Sequence, residues 1–130
     1  MGSDMWIRDR SGIKASGLCP HHFLPVIYDV DVAYVPGGRA VGLSKLARLV
    51  KTIGNLPLLQ EDFTNEVAAQ IRQMVGANDI AIIVRGTHTC MSTRGVSSSA
   101  PTVTSCMEGD FFFDINSRNE VLELFKRGRI

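Results

Sequence analysis

All three histidines and two of the three cysteines of this 130-residue chain fall in two short clusters. The first is Leu18-Cys19-Pro20-His21-His22-Phe23 and the second is Thr87-His88-Thr89-Cys90-Met91. Zinc takes thiolate and imidazole ligands, and a catalytic centre uses three of them and leaves a position for water. Cys19 and His22, spaced Cys-x-x-His, supply that number together with Cys90. Zinc lowers the pKa of bound water to about 7, which makes hydroxide available at neutral pH. His21 and His88 remain beside the candidate ligands, and an imidazole there can carry protons. The expected chemistry is metal-assisted hydrolysis. Plainer readings stand beside it. A lone buried cysteine is usually a small core residue, and a lone histidine is usually a surface or satisfied core group. Cys19 and Cys90 would pair as a disulfide in an oxidising compartment. A closed structural zinc site needs a fourth ligand, for which His21 or Cys106 is the only nameable residue. Two clusters with no histidine elsewhere favour the open metal centre. Cys106 stands apart and reads as structural.

Two further groupings could hold a ligand. In Gly42-Leu43-Ser44-Lys45-Leu46-Ala47-Arg48, a helix start would present free backbone N–H groups to an anion. Lys45 and Arg48, three apart, reach the same side, and Arg94 adds a cation just beyond the second cluster. Together they could hold a polyphosphate; the plainer reading is the solvated face of an ordinary helix. Gln60-Glu61 opens a later helix, where an acid usually serves the helix dipole, although a carboxylate also accepts paired N–H donors from a guanine edge.

These residues need a scaffold. Trp6 to Ser16 can be extended but alternates weakly, whereas Val26 to Val35 is β-branched and aromatic and ends at Pro36-Gly37-Gly38, a strand closed by a turn. Ser44 is the expected N-cap of a helix carrying Leu46, Leu49, Val50 and Ile53, broken at Gly54-Asn55-Leu56-Pro57. A second helix aligns Phe63, Val67, Ile71, Met74 and Val75 and stops at Gly76. Ile80 to Val84 is continuously apolar and reads as a buried strand. Ser97 to Thr104 reads as a loop, Met107 to Phe113 as a last strand, and Asn116 to Arg127 as a terminal helix with Val121, Leu122 and Phe125 inward. Strands before and after a helix pair suggest an α+β sheet with helices on one face.

Bulk properties bound the function. The length suits one domain, spanning residues 1–130, with residues 1–4 set aside as a candidate expression scar or disordered lead. Fourteen basic against 13 acidic side chains offer no basic surface for nucleic acid. Apolar stretches are interrupted by charge, Gly or Pro, so no membrane span is expected, and no secretory signal opens the chain. Three irregularly spaced cysteines make a poor disulfide framework, and a reducing, cytoplasmic setting is expected.

Taken together the residues resemble the GTP cyclohydrolase I family. The likeness is carried by Cys19-Pro20-His21-His22-Phe23, Val32-Ala33-Tyr34-Val35-Pro36, Val41-Gly42-Leu43-Ser44-Lys45-Leu46-Ala47-Arg48, Gln60-Glu61, Thr87-His88-Thr89-Cys90-Met91, Arg94-Gly95-Val96 and Thr102-Val103-Thr104-Ser105, in the family's order and at about its spacing. The resemblance implies the tunnelling fold: an α+β subunit with a four-stranded antiparallel sheet and two helices on one face, oligomerising into a barrel. It implies a ring homo-oligomer, commonly two stacked pentamers, with active sites at subunit interfaces. It implies zinc on Cys19, His22 and Cys90, and catalytic roles for His21 and His88. Ser44, Lys45, Arg48 and Arg94 would match triphosphate and ribose contacts, and Glu61, with Gln60 beside it, the guanine anchor. The implied reaction opens the guanine imidazole ring of GTP, releases formate and forms 7,8-dihydroneopterin triphosphate, a precursor in folate and other pterin pathways.

The sequence also departs from the family pattern. Pro20 stands where Glu is usual, which fixes φ and removes a backbone donor at the metal loop. Asp62 stands where Arg usually follows the Gln-Glu pair, and residues 54–59 differ. The chain reads as a short form without the usual N-terminal helical region and its additional phosphate-binding arginine. Two alternatives follow: a zinc hydrolase of the same fold acting on another purine or pterin, and a non-catalytic ring protein that binds a pterin or nucleotide.

Overall fold

Backbone pairing in the computed structural model, which describes residues 7–18, 25–36, 42–88 and 102–127, yields one four-stranded sheet in the order β1-β2-β3-β4. The strands are β1 (Arg8–Leu18), β2 (Pro25–Tyr34), β3 (Ile80–His88) and β4 (Thr102–Glu108), each antiparallel to the next. Between β2 and β3 run helices α1 (Leu43–Gly54) and α2 (Gln60–Val75); after β4 come a short α3 (Asp110–Phe113) and α4 (Ile115–Arg127).

Side chains alternate across a strand, so each strand feeds two faces. Val26, Tyr28, Val30, Val32 and Tyr34 of β2 and Ile80, Ile82 and Val84 of β3 are buried toward one face. α1 covers it with Leu46, Val50 and Ile53, and α2 with Phe63, Val67, Ala68, Ile71 and Val75. Leu49 and Met74 pack at the margin. The Phe63 ring stacks on Tyr28 with centroids 4.3 Å apart. At about 1.5–3 kcal/mol for each large apolar side chain buried, this face dominates the stability of the subunit. The two-helix face expected from the sequence is therefore present.

α4 lies on the opposite face. Its Val121 and Phe125, with Phe111 of α3, pack against Ala33, Ala81 and Ile83, the odd-numbered positions of β2 and β3. Leu122 is only partly buried beside them.

Four local expectations need correction. α1 begins one residue before Ser44, with Gly42 at the N-cap and no capping side chain. Ser44 is thus inside the first turn. β3 runs on from the apolar core segment to His88. Residues 102–104 are strand rather than loop, because they pair with Gly86 to Val84. The expected strand over Met107–Phe113 stops at Glu108: Gly109 adopts φ 67°, and Asp79 Oδ1 accepts the Asp110 N–H at 2.8 Å, turning the chain into α3 and sending Phe111 inward. Gly76 ends α2 as expected, in the left-handed conformation with φ 67°.

The weak alternation of the first strand has a structural cause. Arg10 pairs with Val32 and Ile13 with Val30, so Ser11 and Gly12 together stand opposite Asp31. This is a β-bulge, and Gly12 supplies its positive φ of 72°. Asp31 Oδ1 accepts the Gly12 N–H at 2.9 Å, and Oδ2 accepts from Arg85 Nη1 at 3.1 Å.

Candidate functional site

The register places both chemical clusters at one end of the sheet. Leu18 pairs with Pro25, Val26 with His88, and Gly86 with Thr102. The described residues on either side of 19–24 and of 89–101 therefore lie at the end where β1 and β3 finish and β2 and β4 begin. Cys19, His21, His22, Cys90 and Arg94 lie outside the described residues, and of His88 only the backbone, the last residue of β3, is described. The described residues next to these candidates, Leu18, Pro25, His88 and Thr102, stand at one end of the sheet. Among the described residues no group of three His, Cys, Asp or Glu could hold a metal.

The N-terminus of α2 sits at the same end. Gln60, its first residue, is buried, and its Nε2 donates to Val84 O (3.2 Å), Thr102 O (2.8 Å) and Thr104 Oγ1 (3.2 Å). Thr64 Oγ1 donates back to Gln60 O at 2.9 Å and lies 2.7 Å from Thr104 Oγ1. Glu61 and Asp62 follow in the first turn, both exposed, where their charge complements the helix dipole. Val84, Thr102, Thr104 and Thr64, the partners of Gln60, were not marked as a group by the sequence. Their link depends on β3–β4 register, which no local pattern encodes, although Thr102-x-Thr104 places two threonines on one face.

Ser44, Lys45 and Arg48 are exposed along the first turns of α1. That helix has no acidic residue in its first turn and no capping side chain, so its N-terminal N–H groups are electrostatically open to an anion. Its C-terminus meets β1 near Leu18: a Cβ on Gly17 would fall 2.5 Å from the Gly54 carbonyl oxygen. Ser44 is ten residues earlier, about 15 Å away along the axis. Within one chain, Ser44 and Lys45 are therefore carried toward the opposite end of the sheet from Gln60 and Glu61, and the structure does not bring the two groups together.

Cys106 fits a structural role. It packs at the margin of the main core and its thiol lies 3.6 Å from Glu108 Oε2. Burial, reinforced by the Glu108 charge, pushes that thiol up to about 11, so it stays protonated at neutral pH. Glu108 also pairs with Arg72 of α2. No helix among the described residues is long and apolar enough to cross a membrane.

Comparison with known proteins extends this picture. Residues 4–126 match the family model for GTP cyclohydrolase I. A GTP cyclohydrolase 1 from Hyperthermus butylicus is 37% identical over 120 residues, covering 92% of this chain and 62% of the relative. One from Rhodopirellula baltica is 41% identical over 116 residues, covering 88% and 51%. One from Clostridium perfringens is 42% identical over 108 residues, covering 82% and 58%. The chain thus spans between half and two-thirds of the length of these relatives. Among solved structures, an archaeosine synthase QueF-Like in the apo form superposes with a TM-score of 0.67 at 13% identity, covering 79% of this chain and 93% of that one. A putative dihydroneopterin aldolase from Vibrio cholerae gives 0.59 at 11% identity, covering 81% and 99%. At such identities the likeness concerns the fold, the tunnelling-fold subunit. Sequence match over nearly the whole chain and the sheet with its helix pair agree: the chain belongs to the GTP cyclohydrolase I family.

Proposed function

We propose that this chain is a zinc-dependent GTP cyclohydrolase that opens the guanine imidazole ring, releases formate and yields 7,8-dihydroneopterin triphosphate. The observation that carries the reading is the shared sheet end: segments 19–24 and 89–101 and the N-terminus of α2 all start from it. Two thiolates and an imidazole from Cys19, Cys90 and His22 suit zinc, and three ligands leave it open. When bound, zinc supplies Lewis-acid polarisation and lowers the pKa of water to about 7.

The remaining steps fall to the chain's own residues. Glu61 accepts N–H donors of the guanine edge and fixes the base. His88 protonates the ring nitrogen as water adds at C8 and the C8–N9 bond breaks, and His21 assists the proton transfer. A second water hydrolyses the resulting formamide to formate and a free amine. The ribose rearranges to a carbonyl, which condenses with that amine and expels one water, so one water is consumed overall. Ser44, Lys45, Arg48 and Arg94 hold the triphosphate and ribose. Because α1 carries Ser44 and Lys45 away from Glu61, a complete site takes them from a neighbouring copy, which supports a homo-oligomer with sites at its interfaces.

Zinc-loaded protein incubated with GTP should release one formate per neopterin product, read by fluorescence after oxidation. Cys90→Ala should remove the metal; His88→Ala should abolish turnover with the metal retained. Failure to release formate from GTP, or full activity in a stable monomer, would overturn the proposal. Asp62, exposed beside Glu61, motivates a second reading, in which another purine nucleotide is the better substrate. Formate release from that nucleotide but not from GTP would establish it.

A further inference from the structure

We infer that Gln60 is a positioning residue, not a substrate contact: its side-chain amide pins the start of α2, with Glu61, to Val84 in the middle of β3 and to the opening residues of β4, which directly follow residues 89–101. This inference rests on the proposed GTP site and deepens it. Val84 O and Thr102 O can only accept, so the nitrogen end of the amide must face them, which settles its orientation. The two N–H groups span carbonyls on adjacent strands, bridging the β3–β4 ladder between the Val84–Thr104 and Gly86–Thr102 pairs. Thr64 gives its only proton to Gln60 O, so the proton between Thr64 and Thr104 belongs to Thr104. Thr104 Oγ1 in turn accepts from Gln60. The circuit closes with every hydroxyl proton assigned.

Space confirms that the amide is seated. Gln60 is 4% exposed, and a Cβ on Gly86 would lie 2.2 Å from its Oε1. The glycine leaves the room that the amide fills. An amide committed to three protein acceptors at this depth has no N–H left for a ligand. Its neighbour Glu61, by contrast, is exposed at the same helix start. Shifting Gln60 would therefore shift Glu61 relative to the segment that carries Cys90 and Arg94.

The test uses Gln60→Leu, which keeps the bulk and removes the donors, and Thr104→Val, which keeps the shape and removes the hydroxyl. Misplacing an anchor that binds ground and transition states alike raises KM and spares kcat, so Gln60→Leu should raise KM for GTP about tenfold with kcat within about threefold. Thr104→Val should raise it by about threefold, and the double variant should match Gln60→Leu alone, because both act through one circuit. Backbone hydrogen exchange across residues 86–104 should accelerate in each variant, with the α1–α2 core unchanged. Multiplying KM effects in the double variant, or faster exchange with unchanged KM, would overturn the positioning role. Unchanged exchange would overturn the pin itself. Thr104→Val carries the test if Gln60→Leu does not fold. A wild-type protein inactive on GTP would refute the proposed reaction, while the exchange data would still decide the pin.

Discussion

Replacing Asp31 should destabilise the subunit through its partners rather than through its own lost burial. Its carboxylate is fully buried, and it holds Gly12 N–H in the bulge and Arg85, whose side chain is 32% exposed. Removing a buried carboxylate recovers its desolvation cost, which is why exchanging a whole buried ion pair for apolar groups is often neutral. Asp31→Ala alone leaves both of these donors behind. The Gly12 N–H, cut off from its acceptor, costs about 1–3 kcal/mol. Arg85 loses a charge-assisted bond worth about 1.5–3 kcal/mol, with its partial exposure favouring the lower figure because water can replace the carboxylate. The expected loss is about 3 kcal/mol. Arg85→Met should be similarly costly, since it leaves the carboxylate with the bulge amide as its main donor. In the double variant the bulge amide is the one of these two donors left stranded, so the cost should fall to about 1–2 kcal/mol, below either single change. Urea unfolding at one fixed protein concentration measures all three, the fixed concentration holding any association constant. A loss under about 1 kcal/mol for Asp31→Ala, or costs that simply add in the double variant, would refute the reasoning.

Two further changes probe other parts of the frame. Gly17→Ala would press a Cβ to 2.5 Å from the Gly54 carbonyl oxygen, backbone against backbone, and should cost about 1–3 kcal/mol in urea unfolding because no rotamer relieves it. Asp9 has its carboxyl pushed above the ordinary value, first by burial and then by the Asp31 charge. Since its folded pKa exceeds the unfolded one, ionisation costs nothing below the unfolded value and destabilises as pH rises through the folded value. Asp9→Asn should therefore stabilise at neutral pH by less than about 1 kcal/mol and give no gain near pH 3, as unfolding across that range would show.

Much of this organisation was legible in the residues, for reasons that differ by element. Alternation in β2 and helical spacing in α2 are strong because each element buries one stripe against one core, so their extents and inward residues followed directly. β1 was faint because the bulge shifts its alternation by one residue, and a shift of period cannot be seen without the partner strand. The end of β4 is hard to see because Met107 and three phenylalanines look like strand, while the turn depends on Gly109 and on the bond from the Asp110 N–H to Asp79, 31 residues earlier. Gln60 was legible as important and paired with Glu61, but its partners arrive through β3–β4 register, which is a property of the sheet. The side of the sheet taken by α4 was also hidden: an amphipathic helix declares that it has an apolar face and not which surface will receive it.

The bulge in β1 also gives that strand something like a reading frame. Upstream of Ser11 the even-numbered residues share a face with Val32, and downstream the odd-numbered Ile13 and Ala15 do. A chain that lost Ser11 would leave Gly12 alone opposite Asp31, with Arg10 still facing Val32 and Ile13 still facing Val30, so both frames would survive as one regular strand. The bulge is thus one residue of slack. Deleting Ser11 should be tolerated far better than deleting Lys14, which would turn either Ile13 or Ala15 out of the main core.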